Sequence, residues 1–162
     1  MKLRLLITEK CNRKCMWCQN QHWDLAALAR EIHFGEYSEI MLTGGEPMLV
    51  PEVVISTAKK IRSGSQAKIY LYTAKTDNWQ AILSVLLFID GMSVTPHNQT
   101  DIAHFEKLNK ILYGSQINKS LKLNLFTDYE FVIEGNLDMW RVKRKVWFKT
   151  KHIPKNEIFK RI

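Results

Sequence analysis

Segments of strand character alternate with segments of helical character along most of the chain, and this pattern constrains its fold more than any other feature. Six strands are predicted, at residues 2–7, 38–43, 68–74, 91–97, 121–126 and 145–150. Helices are predicted between them, at residues 24–32, 51–64, 77–89, 100–114 and, as one or two turns, 136–142. Such alternation favours a parallel sheet with helical crossovers.

The length limits how such a sheet can close. A closed barrel of eight strand–helix units needs about 250 residues, whereas this chain has 162 residues and room for six units. We therefore expect one α/β domain over residues 1–162. Its parallel strands would form an open partial (β/α)6 barrel or a doubly wound sheet.

All three cysteines, Cys11, Cys15 and Cys18, lie within eight residues, in the stretch TEKCNRKCMWCQNQHWD at 8–24. The first ten residues lack the apolar core of a signal peptide, and the longest apolar run, residues 85–89, is too short to span a membrane. We expect a cytoplasmic protein without a membrane segment. Cysteines in that reducing compartment serve ligation or catalysis more often than disulfides.

The cysteines follow directly on the first predicted strand. Ligands of parallel α/β folds gather at the carboxyl ends of strands, so a Cys-x3-Cys-x2-Cys loop there could place three thiolates around one metal centre. A cubic iron–sulfur cluster has four irons, and three thiolates would leave one of them open to a small molecule. Structural zinc sites usually take four protein ligands instead.

Two short motifs stand at the ends of consecutive predicted strands. The first is Cys11-x3-Cys15-x2-Cys18, with Trp17 before the last cysteine, and the second is TGGEP at residues 43–47. With these motifs the chain resembles the radical S-adenosylmethionine superfamily. The resemblance implies that the three cysteines ligate a [4Fe-4S] cluster and that S-adenosylmethionine binds the open iron. That superfamily's partial six-stranded barrel also agrees with the predicted order of elements.

The same resemblance implies which residues contact the cofactor. Gly44, Gly45 and Glu46 would face its methionine moiety, with Pro47 as the last residue of the motif, and Trp17 would lie near the adenine. Glycines allow close approach of the backbone, and a carboxylate accepts hydrogen bonds from an ammonium group. A tight turn after a strand is the alternative interpretation of Gly-Gly-Glu-Pro.

Polar residues at the other predicted strand ends would line the same cavity. Among them, Thr73 and Thr95 are the predicted cofactor contacts. An ordinary role as polar residues at strand ends is the alternative for the whole set. The set consists of Thr73, Lys75, Thr95, His97, Asn124, Thr127, Lys149 and Lys151.

The resemblance also implies a reaction. A reduced cluster cleaves S-adenosylmethionine to methionine and a 5′-deoxyadenosyl radical, which takes a hydrogen atom from a substrate. An external one-electron donor of the flavodoxin or ferredoxin type would be a partner. Asn20, Trp23 and Asp24, in CQNQHWD, resemble the small activating enzymes of glycyl-radical proteins, whose substrate is a partner protein. A nucleotide, a peptide or a nucleic acid is the alternative substrate.

A protein of another class could use the same cysteines. Together with His22 they form a Cys-x3-Cys-x2-Cys-x3-His set that suits zinc, as in a zinc-stapled nucleic-acid-binding module. Zinc binding gives no reason for the Gly-Gly-Glu-Pro motif.

Positive charge is concentrated at the carboxyl-terminal end. The formal net charge is +8, and residues 141–162 hold nine of the 24 Lys and Arg residues but only one acid, Glu157. A basic end attracts anions such as phosphates, so an anionic partner could bind there. A solvated edge strand followed by a tail is the alternative.

Overall fold

Seven parallel strands form one sheet in the computed structural model, which describes all residues 1–162. The strands are β1 Lys2–Thr8, β2 Glu39–Gly44, β3 Lys68–Thr73, β4 Gly91–Val94, β5 Ser120–Phe126, β6 Trp140–Lys145 and β7 Glu157–Arg161. The α-helices are α1 Pro51–Gly64, α2 Trp79–Leu86 and α3 Gln99–Gly114, and short 3-10 turns span Gln19–His22 and Pro47–Leu49. The strand order is β6-β5-β4-β3-β2-β1-β7. The fold class α/β with parallel strands is thereby confirmed.

One face of the sheet carries the hydrophobic core. Side chains alternate between the two faces of a strand, and the residues of β1 to β5 at every second position, such as Leu3, Leu5, Ile40 and Leu42, are fully buried. They join apolar residues of all three α-helices, for example Phe105, in a cluster of 28 buried residues. All three helices therefore pack on this face.

The helices begin where the sequence predicts. Helix α1 has Pro51 in its first turn, where the missing N–H costs no hydrogen bond. Asn78 accepts a hydrogen bond from the N–H of Ala81 at the start of α2, and Asn98 accepts one from the N–H of Asp101 at the start of α3. None of the three helices combines the length and the apolar character that crossing a bilayer requires.

The opposite face of the sheet has no α-helix on it, and we call it the helix-free face. Its side chains are mostly polar or charged, because they occupy the alternate positions of strands whose other side chains fill the core. The neighbours across the strands follow from the register of the parallel pairs. The face includes Lys2, Arg4, Glu39, Tyr70, Tyr72, Ser93, Lys122, Asn124, Phe126, Arg141, Lys143, Lys145 and Glu157.

The helix predicted at 24–32 is wrong. Asp24 accepts hydrogen bonds from the N–H groups of Ala26 and Ala27, which gives the backbone a turn in place of a helix. Further along, Arg30 forms a β-bridge with Arg161 of β7. Pairing with a distant strand therefore overrides the local helical pattern.

The predictions for the last quarter of the chain are also wrong. The predicted helical turns at 136–142 and strand at 145–150 give way to β6, which begins at Trp140. The buried indole N–H of Trp140 donates to Asn109 Oδ1 at 2.8 Å. The predicted tail contains a further strand, β7, which lies beside β1 at the far edge. The basic segment 141–162 thus contributes strands to both edges of the sheet, and residues 146–156 connect these two strands.

A buried carboxylate fastens β7 to the chain that precedes β2. Glu31 accepts hydrogen bonds from the phenol of Tyr37 at 2.5 Å, from Lys160 Nζ at 2.6 Å and from the N–H groups of Ile32 and His33. Burial opposes ionisation of Glu31, but the hydrogen bonds from Lys160 and Tyr37 outweigh it and lower the pKa to about 2.

We expect this depressed pKa to contribute to acid unfolding. The ionised Glu31 stabilises the fold above its unfolded-state pKa near 4.5, and this contribution of about 3 kcal/mol is lost as the pH falls toward 2. Glu31→Gln should therefore flatten the loss of unfolding free energy between those pH values, measured by urea titration. Glu36→Gln, at an exposed position, is the control, and an equal flattening there would contradict the prediction.

Candidate cysteine-loop site

The loop of residues 9–18, which we call the cysteine loop, leaves the carboxyl end of β1. Cys11 is exposed, Cys15 and Cys18 are half-buried, and all three are free thiols. The N–H of Cys18 donates to the carbonyl of Cys15 at 3.3 Å, and the 3-10 turn Gln19–His22 follows at once. The motif therefore lies at the carboxyl edge of the sheet, where the sequence predicts a ligand site.

The three thiols are neighbours. Burial, together with the smaller effect of the nearby Cys18 and Cys11, which disfavour a second negative charge, raises the pKa of Cys15 to about 11. No three His, Cys, Asp or Glu side chains are arranged to hold a metal ion, and His22 is exposed. The structure thus brings the sulfurs into one loop but does not place them in a coordination shell.

A buried ion pair anchors the loop. The guanidinium of Arg13 donates to both carboxylate oxygens of Asp101 at 2.7 Å, and the same carboxylate accepts the N–H of His97 at 2.8 Å. Asp101 is 4% exposed and lies in the first turn of α3. Since bidentate pairs of this kind fix geometry, the stretch between Cys11 and Cys15 is held against the start of α3.

One cysteine contacts a histidine. Cys15 Sγ lies 3.1 Å from His97 Nδ1. Burial, aided by the charge of Arg13, lowers the pKa of His97 to about 4, so this imidazole is neutral at neutral pH. Its ring packs edge-on against Phe126 and Trp147. His97 is thus among the predicted strand-end residues that do reach the cysteines.

The turn after β2 packs against the beginning of the cysteine loop. The N–H of Gly45 donates to the carbonyl of Thr8, and the N–H of Glu46 donates to the carbonyl of Lys10, both at 2.8 Å. A Cβ on Gly44 would lie 2.4 Å from the carbonyl oxygen of Thr8, and one on Gly45 would lie 2.2 Å from that of Lys10. Both glycines are therefore required by the approach of two backbone segments.

The carboxylate of Glu46 is buried and satisfied by protein donors. It is 2% exposed and accepts hydrogen bonds from the N–H of Met48 at 3.0 Å, from Thr73 Oγ1 at 2.5 Å and from the N–H of Ala74 at 2.9 Å. Pro47, also buried, begins the 3-10 turn that Glu46 caps. Glu46 and Thr73, both predicted cofactor contacts, thus bind each other and tie β3 to the glycine turn.

Asn20, singled out by its place two residues after the last cysteine, joins the two motifs. Its side-chain amide donates to the carbonyl of Gly44 at 2.8 Å. Trp23 packs edge-on against Phe159 of β7, with ring centres 5.2 Å apart. The cysteine loop is therefore held to the glycine turn both before Cys11 and after Cys18.

The connection between β6 and β7 crosses the cysteine loop, and we call residues 146–156 the strap. Gln19 donates to the carbonyls of Phe148 and Thr150 at 2.8 and 3.1 Å and accepts the N–H of His152 at 3.0 Å. The indole N–H of Trp147 donates to the carbonyl of Trp17 at 2.8 Å. The predicted strand-end residues Lys149 and Lys151 lie on the strap, above the rings of Trp17 and Trp23.

An open cavity of about 590 Å³ lies between the cysteine loop and the loops that precede α2 and α3. Its volume is within the range of small-molecule pockets. Its lining includes Cys15, Trp17, Lys75, His97 and Trp147. The lining does not include Thr73, Thr95 or residues 44–47, so only Trp17 of the predicted cofactor contacts faces this cavity.

Thr95 belongs to a polar group on the helix-free face. Asn124 donates to Thr95 Oγ1 at 3.1 Å and to Ser93 Oγ at 2.6 Å. Thr127, by contrast, is exposed, and its N–H pairs with the carbonyl of Lys145. Thr95 and Asn124 therefore lie together, apart from the residues that line the cavity.

Four residues of the site were not singled out from the sequence: Arg13, Gln19, Asp101 and Trp147. Arg13 lies between two of the cysteines and Asp101 in a helix first turn, but their pairing spans 88 residues. Gln19 follows the last cysteine directly, yet its partners lie about 130 residues further on. For Arg13 and Gln19, the position beside the cysteines was the only local signal of a role in the site.

Comparison with known proteins identifies no relative. No family model matches the chain, and no curated protein matches its sequence.

Proposed function

We propose that the chain is a radical S-adenosylmethionine enzyme that holds a [4Fe-4S] cluster through Cys11, Cys15 and Cys18. When bound, the cluster would supply an electron that splits the cofactor into methionine and a 5′-deoxyadenosyl radical, which takes a hydrogen atom from a substrate. An external one-electron donor of the flavodoxin or ferredoxin type would reduce the protein.

One observation carries the proposal: the two motifs are in direct contact at the carboxyl ends of neighbouring strands. The hydrogen bonds from Gly45 and Glu46 to the backbone of Thr8 and Lys10 join the glycine turn to the cysteine loop. The carboxyl ends of strands are where parallel α/β proteins bind ligands.

The type and the sequence spacing of the donors, three thiols in a Cys-x3-Cys-x2-Cys loop, suit such a cluster. Three thiols lie on one partly exposed loop, close enough for Cys11 and Cys18 to affect the pKa of Cys15. His97 contacts Cys15, with 3.1 Å between Nδ1 and Sγ, but the chain has no fourth thiol, so three thiolates are its complete sulfur donor set. This set would occupy three irons and leave one open to the amine and carboxylate of the cofactor. The adjacent cavity is of a size suited to a small molecule.

The chain's own residues would position the cluster and the cofactor and shield them from water. Arg13, between Cys11 and Cys15, and Asn20, after Cys18, hold the loop, so the thiols keep their place relative to the sheet. Gly44 and Gly45 let the glycine turn pack against the start of the cysteine loop, and Trp17 would lie near the adenine. Trp147, stacked on Phe126 at 4.0 Å, covers the neighbouring strand ends and would keep water from the radical.

We also propose that the sheet curves into an open partial (β/α)6 barrel. In a flat sheet the five steps from β1 to β6 would separate these strands by about 24 Å. Yet the charges of Arg4 on β1 and Glu157 on β7 affect the pKa of Lys145 on β6. Charges so far apart would be screened, so this coupling supports curvature that brings the edges toward each other.

The proposal for the substrate names a class of molecule. Asn20, which joins the two motifs, occupies the place that resembles small activating enzymes, so a glycyl-radical partner protein is the first candidate. A nucleotide, a peptide or a nucleic acid is the alternative. Mass spectrometry of candidate substrates after turnover would distinguish them by the loss of one hydrogen atom.

The proposal predicts formation of 5′-deoxyadenosine. The protein is reconstituted with iron and sulfide without oxygen, then given dithionite and S-adenosylmethionine, and the product is measured by liquid chromatography with mass spectrometry. We expect four irons per chain, visible charge-transfer absorbance and 5′-deoxyadenosine that accumulates with time. A colourless protein that retains one zinc after this treatment would contradict the proposal and favour the zinc-binding module.

A further inference from the structure

Four cations lie side by side at one end of the helix-free face. We call Lys122, Arg141, Lys143 and Lys145 the basic face. In the register of β5 and β6, Lys122 stands directly opposite Arg141, and Lys143 and Lys145 follow at alternate positions along β6. Like charges opposite each other destabilise a sheet. A bound anion would reduce the repulsion between these four side chains.

None of these four side chains forms an ion pair in the structure. The eight ion pairs of the structure use other cations. The acids nearest on this face are already paired, Glu39 with Lys2 and Glu157 with Arg4. Desolvation and the neighbouring cations Lys143, Lys122 and Arg4 also lower the pKa of Lys145.

Exposed aromatic rings continue the basic face onto the strap. Phe148, 51% exposed, stacks on His152 with ring centres 4.1 Å apart and planes within 11°. Phe148 follows Lys145 by three residues, a reach of at most about 11 Å. Tyr129 stacks on Phe131 just after the carboxyl end of β5, which lies beside the carboxyl end of β6. Aromatic ring pairs therefore follow the carboxyl ends of the two strands that carry the four cations.

We propose that this surface binds single-stranded nucleic acid. The cations of the basic face would contact successive phosphates, and Phe148 would stack on a base, the combination by which proteins hold single strands without reading their sequence. An acidic protein would satisfy the cations but would leave the exposed ring pair without a role. This binding goes beyond the proposed radical chemistry and does not depend on it.

The test is fluorescence anisotropy of the full chain with a labelled oligothymidylate of about 12 nucleotides, titrated at several salt concentrations. Replacing Arg141, Lys143 and Lys145 together with glutamine removes three phosphate contacts. The slope of log affinity against log salt should then fall by about 2, and affinity near 0.1 M salt by about a hundredfold. Unchanged affinity would overturn the proposal, as would absence of binding to the parent chain at low salt.

A matched control separates this surface from general positive charge. Lys60, Lys107 and Lys110 are exposed on α1 and α3 and form no ion pair, so their triple replacement with glutamine changes net charge equally. We expect it to lower affinity less than about threefold. An equal loss in both triple variants would overturn the proposal. Thermal unfolding of both variants checks that they are folded.

A separate variant tests whether Phe148 stacks on a base. Phe148→Ala should weaken oligothymidylate binding about tenfold and leave binding of an abasic oligonucleotide of the same length unchanged. The side chain is half exposed, and only its backbone carbonyl bonds to Gln19, so the strap should keep its place. Equal affinity of the parent chain for polyglutamate would show an acidic protein as the occupant and overturn the proposal.

Discussion

Replacing Cys11, Cys15 or Cys18 with alanine is expected to abolish both iron retention and formation of 5′-deoxyadenosine. Each thiolate would hold one iron of the cluster, and the chain has no fourth thiol that could take its place. The fold should remain intact, because the cysteines are exposed or half-buried and outside the hydrophobic core. The effect on unfolding free energy should stay within about 1 kcal/mol.

The measurements are iron content after anaerobic desalting, visible absorbance and product formation. His22→Ala is the matched control, because His22 lies just after the cysteines and would be the fourth ligand of a zinc site. Under our proposal this variant keeps its iron and its activity. Loss of metal from His22→Ala, or full iron in any single cysteine variant, would contradict the three-thiolate cluster.

Gly45→Ala is expected to disrupt the junction between the glycine turn and the cysteine loop, at a cost of about 4 kcal/mol. The added Cβ would lie 2.2 Å from the carbonyl oxygen of Lys10 and 2.7 Å from that of Glu9. These are backbone atoms that cannot rotate away as the end of a flexible side chain can. We expect loss of the hydrogen bonds that Gly45 and Glu46 make to the cysteine loop, and with them loss of the cluster.

Gly64→Ala is the control, because a Cβ there meets nothing within 4 Å. It should be neutral or stabilising by up to about 1 kcal/mol. Urea unfolding and iron content of the two variants provide the comparison. A Gly45→Ala protein of normal stability that binds the cluster but not S-adenosylmethionine would contradict the structural role and favour a pocket-shaping one. Gly44→Val should behave like Gly45→Ala, since its Cβ would strike the carbonyl of Thr8.

Local pattern predicted most of the fold that positions the site. The bounds of α1 match the prediction because proline and glycine mark both of its ends. The five strands that precede β6 were placed by their apolar and β-branched residues, within a few residues of their observed bounds. The junction of the cysteine loop with the glycine turn could also be expected, because consecutive parallel strands place their carboxyl ends side by side.

Local pattern failed where distant partners compete with it. Residues 24–32 have helical spacing, but Asp24 turns the backbone and Arg30 pairs with β7. Glu46 was expected to face a ligand and instead fills its hydrogen-bonding capacity with Met48, Thr73 and Ala74. The pairing of Arg30 and the hydrogen bonds of Glu46 both depend on residues that only the folded chain brings close.

The sequence by itself determined the period of each strand, the breaks at glycine and proline, and a spacing that keeps three thiols on one loop. These features depend on residues a few positions apart, so chain connectivity already brings them together. Only the tertiary structure decided that β7 lies beside β1, that Arg13 meets Asp101, and that the strap crosses the cysteine loop at Gln19. The entropy lost in closing such long loops is nearly the same for many alternative partners. The packing of the whole core therefore selects among these partners.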